Sequence, residues 1–118
     1  MYDKVNAVAD SLGLSSIGTT VYEGRYGTGR FSDNAPSLVW VISGASVKAE
    51  VDQALVRAGY TPHDTPQPAG KPETWGRVEQ TSTQLVSVTV LPAGTTFQDA
   101  EQKDRTVVDD SVKVFISS

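Results

Sequence analysis

A single histidine, His63, stands beside Asp64. A neighbouring carboxylate raises the proton affinity of an imidazole, so the pair has the residue types of an acid–base or ligand-binding group. General-base work also needs a rigid support within reach of a nucleophile. The segment Thr61–Pro72 instead surrounds this histidine with four of the chain's 6 prolines. Proline lacks a ladder donor and favours extended polyproline geometry, which predicts an exposed connection. Trp75 follows, ahead of Gly76, and reads either as a cap on a sheet edge or as an exposed binding anchor.

A second group surrounds Gly24-Arg25-Tyr26-Gly27-Thr28-Gly29-Arg30. Its G-x-x-G-x-G spacing departs from the G-x-G-x-x-G phosphate fingerprint, and no helix opens after it to aim its N-terminus at a phosphate. Recognition is the chemistry left to it: Arg25, Tyr26, Arg30 and Phe31 are side-chain types that interfaces favour. A third group, Asp99, Glu101, Asp104, Asp109 and Asp110, has the oxygen chemistry of a calcium site but lacks the D-x-[DN]-x-[DN]-G order. No metal site is expected, and no cofactor. With 0 cysteines, thiol catalysis, disulfides, zinc–thiolate sites and iron–sulfur clusters are excluded.

The 118 residues fit one domain, large enough for an independent core. A net charge of −4 and a pI near 4.8 give no electrostatic footprint for nucleic acid or an anionic membrane. No run of apolar residues is long enough to span a bilayer. Valine dominates the apolar set, 16 copies against 6 leucines. β-Branched side chains suit a pleated surface, so a sheet is expected to provide most of the core.

The elements that would hold these residues follow from periodicity. Tyr2, Val5, Ala9 and Leu12 recur at helical spacing, with Gly13 as the stop. Thr19–Tyr26 alternates as a strand, Gly27–Pro36 reads as loop, and Ser37–Ser43 is a continuous apolar run. Such a run predicts a central strand, covered on both faces or partnered by another chain. Val47, Val51, Ala54, Leu55 and Ala58 form a second helical stripe, with Ser46 as N-cap and Gly59 as stop. Thr74–Thr81 and Gln84–Leu91 read as an antiparallel pair, and Ser111–Ser117 as a terminal strand. Thr95–Asp110 carries no readable period.

The order α-β-β-α-β-β-β predicts an α+β domain spanning 1–118: a two-layer sandwich with two helices on one face of a mostly antiparallel four- to five-stranded sheet. Ala54-Leu55, Ala58-Gly59-Tyr60 and Val86–Leu91 followed by Pro92-Ala93-Gly94 resemble a pattern in small exported or lipid-anchored domains of actinobacteria, over about residues 36–94. That resemblance implies a location outside the membrane and a binding or scaffolding role, and it transfers no catalytic residue. The lipobox cysteine of the lipid-anchored version would have to lie upstream of Met1. Met1 runs directly into the first helical pattern, with no signal-peptide pattern between. A cytoplasmic protein, or one whose export segment precedes Met1, is therefore expected.

The functional expectation is a non-enzymatic, extracytoplasmic module that binds another protein or a cell-envelope component. One rival is a small-ligand or enzyme domain using His63, Asp64 and Trp75 in the 61–76 region. Another is a self-assembling structural subunit, such as a phage or assembly component, pairing through strand 37–43.

Overall fold

The computed structural model describes residues 3–26, 37–63, 71–78, 83–99 and 101–117. Helix α1 (Asp3–Leu12) buries Val5, Val8, Ala9 and Leu12, the stripe its spacing predicts. Gly13 ends it at φ 66°, a left-handed geometry that a β-carbon disfavours, and Leu14 folds into the core. Helix α2 (Val47–Arg57) stops in the same manner, with Gly59 at φ 92°. The Gly59 N–H donates to the Val56 carbonyl at 3.1 Å and the Tyr60 N–H to that of Leu55 at 2.9 Å. Those two bonds satisfy orphan carbonyls, and the buried Tyr60 supplies the accompanying apolar contact.

Ser46 does occupy the N-cap position of α2, but its hydroxyl makes no capping bond. Its ψ of 18° lies outside the extended region from which a cap side chain reaches the first-turn N–H groups.

The fold is α+β: the described residues form these two α-helices and a six-stranded sheet whose neighbouring strands all run antiparallel. Its strands are β1 (Thr19–Tyr26), β2 (Ser37–Ser43), β3 (Thr61–Pro62), β4 (Pro72–Val78), β5 (Thr83–Leu91) and β8 (Ser111–Ser117). In space they follow the order β1-β2-β8-β5-β4-β3. The last strand in sequence therefore sits between the second and the fifth. A two-residue edge, β3, pairs with Gly76 and Trp75 at the head of the proline-rich segment. That pairing takes the sheet past the expected four or five strands, and an edge is where a proline is tolerated. Likewise β4 starts at Pro72 rather than Thr74, with proline at the first strand position.

Within the span 95–110, unreadable by period, β6 (Thr96–Gln98) and β7 (Asp104–Thr106) pair as a separate two-stranded ribbon. Three-residue strands are too short to show an alternation.

One sheet face takes the helices. Leu38 and Ile42 of β2, Trp75 of β4, Val86 and Val88 of β5, and Val112, Val114 and Ile116 of β8 join the α1 and α2 stripes in one cluster. The other face carries a smaller cluster of Val39, Val41, Leu91, Phe97 and Val107, flanked by half-buried Tyr22 and Phe115. Hence β2 is apolar on both sides because each side meets its own cover. Its two lateral neighbours, β1 and β8, also belong to this chain, so the run 37–43 is not itself an edge open to another molecule.

Candidate functional site

Strand β1 forms one border of the sheet, and its alternation sends two sets of side chains to opposite faces. Glu23 and Arg25 lie opposite Trp40 and Leu38 of β2, on the side that takes the helices. Tyr22 and Gly24 turn to the ribbon side. A β-carbon at Gly24 would collide with the Tyr22 phenol, which lies across it. Glycine here is thus the residue that lets the ring lie flat along its own strand.

On the helix side, α1 brings Asn6 over Arg25. The Asn6 Oδ1 accepts from Arg25 Nε at 3.0 Å and from Nη2 at 2.8 Å. Arg25 Nη1 also reaches Glu23 Oε1 at 2.6 Å, with both side chains 35% exposed. Beside them, the half-buried Trp40 packs one side against the core and donates its indole N–H to Thr20 Oγ1 at 3.0 Å. Asn6, Ala9, Asp10, Glu23, Arg25 and Trp40 together line a cleft of about 290 Å³. Such a space, an aromatic wall with a few converging polar groups, is what recognition of one side chain or small group requires. Its formal charge is negative, since Asp10 and Glu23 outnumber Arg25.

The ribbon side holds the other charged group of note. Asp99 is almost wholly buried; its Oδ1 accepts from the backbone N–H groups of Glu101 at 2.9 Å and Lys103 at 3.0 Å. Its Oδ2 accepts from Arg105 Nε at 2.6 Å. The bond from Arg105 is the main reason that the Asp99 carboxyl is held below its ordinary range; burial opposes it and the two backbone donors assist. Arg105 in turn lies 4.9 Å above the Tyr22 ring, and Tyr22 meets Phe97 at 5.8 Å between centroids. This carboxylate closes the ribbon turn and holds Arg105, and Arg105 and Phe97 meet Tyr22 of β1. A site for calcium would need its oxygens outward; among the described residues no group of three or more acids and histidines is placed to hold a metal ion.

Lys48 makes another network. Burial lowers its proton affinity, but bonds to Asp52 and Glu73 outweigh that and leave it raised. Its Nζ sits 2.7 Å from Asp52 Oδ2 and 2.7 Å from Glu73 Oε2, tying α2 to β4.

Of the residues singled out from sequence, Arg25 lies in the cleft. Tyr26 is the last residue of β1, its side chain outside the described set, and Arg30 and Phe31 lie outside the described residues altogether. His63 and Trp75 belong to the opposite border of the sheet. The His63 ring occupies the space over Gly76 where a β-carbon would stand, whereas Trp75 is 7% exposed and packed in the helix-side core. Consecutive residues Trp75 and Gly76 point to opposite faces, so the histidine and the tryptophan do not line one pocket. Trp75 is a core residue, not an exposed anchor, because α2 and its neighbours cover that face.

Asn6, Asp10 and Glu23 are not among the candidates that the sequence offers, and Trp40 reads there as a core residue of the central strand. A charge on each side of Gly24 was a sign in β1, but the polar side of α1 reads from sequence as ordinary solvated surface. Which polar face meets which strand depends on how the helix crosses the sheet. No protein-family model, curated protein or solved structure matches the chain.

Proposed function

We propose that this domain is a non-enzymatic binding module whose recognition site is the cleft between α1 and the β1–β2 border. Its partner in this reading is another protein, held through a basic side chain placed against Trp40 and between the carboxylates of Asp10 and Glu23. The supporting observation is the mixed wall itself: a half-buried indole beside acidic groups in a space of about 290 Å³. A cation is attracted to the face of an indole, and a nearby carboxylate strengthens its retention.

The charged networks outside the cleft serve the fold: Asp99 and Arg105 are shifted toward their charged forms by each other, and Lys48 toward its ammonium form by Asp52 and Glu73. The same reading takes the architecture as a two-layer sandwich, helices over one face, with the border at β1 left for contact. Action outside the cytoplasm rests on the resemblance of residues 36–94 alone, and fractionation of cells expressing the full gene tests it.

The cleft is tested by titrating isotope-labelled protein with Ac-Gly-Arg-Gly-NH2 and following amide and indole resonances. Shifts confined to Asn6, Asp10, Glu23 and the Trp40 indole are expected, weakened several-fold by Asp10→Asn and absent with Ac-Gly-Glu-Gly-NH2. Shifts centred elsewhere, or equal for the two peptides, overturn the proposal.

A further inference from the structure

The two borders of the sheet are built differently. At one, β3 is two residues long and ends in Pro62, which has no N–H to offer. At the other, β1 runs for eight residues, and among the described residues no further strand pairs with its outer side. A long border strand is a template for another chain unless something blunts it. Here an irregularity between Thr20 and Tyr22 interrupts the pairing register and leaves Tyr22–Tyr26 as the regular stretch. That stretch is held from both faces, by Asn6 on Arg25 and by Arg105 and Phe97 on Tyr22. It is a fixed edge.

We infer that this edge pairs with the same edge of a second copy of the chain, antiparallel and centred on Gly24. Charge selects the register. Glu23 and Arg25 flank Gly24 on the same face, with opposite sign and two residues apart. A two-fold axis at Gly24 sets Glu23 of each copy directly opposite Arg25 of the other, at the roughly 5 Å separation of cross-strand neighbours. Tyr22 then stands opposite Tyr26. The nearest registers that keep the helices of both copies on one side are centred on Glu23 or on Arg25, and each sets a charge against its own kind. Like charges directly opposite are unfavourable, so the sequence selects one register out of three. The contact joins two sheets of six strands edge to edge and places the two clefts side by side.

A five-residue seam is small, so the association is expected to be reversible, with Kd in roughly the micromolar to sub-millimolar range. Sedimentation equilibrium over a concentration series, with far-UV circular dichroism to confirm folding, reads it directly. Wild type is expected to dimerise, more weakly in high salt. Glu23→Arg makes the seam wholly basic and Arg25→Glu wholly acidic, so each variant alone is expected to be monomeric. Mixed in equal amounts they are expected to recover a dimer, because each opposed pair is again Arg against Glu. A wild-type protein that stays monomeric throughout overturns the inference, as does a dimer that survives either reversal. A mixture that fails to associate likewise overturns the inference, because no charge repulsion then remains across the seam. The readout is mass and not peptide binding, so this inference and the cleft stand or fall separately.

Discussion

The two faces of the sheet solve the same problem by different means. On the helix side, α1, α2 and four strands contribute a large apolar cluster, most of it fully buried. Charged groups there tie the periphery, as Lys48 does between Asp52 and Glu73. On the ribbon side the cluster is small, and its cover is a hairpin of three-residue strands. A ribbon that short has little pairing of its own. Phe97 and Val107 join it to the sheet, Arg105 lies over Tyr22 of β1, and a buried carboxylate gripped by Arg105 and two backbone donors closes its turn. The contrast teaches that apolar burial suffices where an amphipathic helix supplies it, and that a small cover needs a directed polar clasp as well.

The strongest break in this comparison comes from the helix side. Leu55, fully buried on α2, should lose about 3 kcal/mol on substitution by alanine, from lost burial and an incompletely filled cavity. Thermal unfolding should then shift down by roughly 10–20 °C in one cooperative step. A loss confined to one part of the molecule would contradict a single helix-side core.

The ribbon should respond locally and to acid. Asp99 is held below its ordinary carboxyl range in the folded chain, so the unfolded chain takes up the proton first as pH falls. The clasp therefore contributes fully above about pH 5 and is lost progressively below about pH 4, toward the lowered folded value. Asp99→Asn at neutral pH removes the charge and should reproduce that loosening. Hydrogen exchange at Phe97 and Val107 should accelerate in both cases, while Val86 and Val114 remain protected. Equal acceleration on both faces would mean that the clasp supports the whole fold and not the ribbon.

The smallest expected effect sharpens the contrast. Ser46→Ala removes a hydroxyl that makes no capping bond, so denaturant unfolding should move by no more than a few tenths of a kcal/mol. An N-cap serine that does bond its helix typically contributes about 1 kcal/mol. A loss of that size would show that the cap forms in solution.

Short-range periodicity reads well wherever one element meets one apolar layer. The stripe on α2 and its stop at Gly59 and Tyr60 follow from spacing and from the need of the last carbonyls for donors. The two-sided burial of Ser37–Ser43 follows from an uninterrupted apolar run. The ribbon does not read this way, because its turn rests on Asp99 meeting Arg105 across a bend. The cleft is half legible: Arg25 carries an interface-type side chain, whereas Asn6, Asp10 and Trp40 join it through the crossing of α1 over β1 and β2.

What the amino-acid sequence determined by itself is local: helix stripes and their glycine stops, valine-rich strands, and the absence of thiol chemistry. Each depends on residues within a few positions of one another. Tertiary structure alone decided that the final strand enters the middle of the sheet, that His63 and Trp75 part to opposite faces, and that β1 is left at the border. Those outcomes depend on pairings between distant segments, where the favourable partner is chosen by the burial of the whole sheet and not by any pattern within one strand.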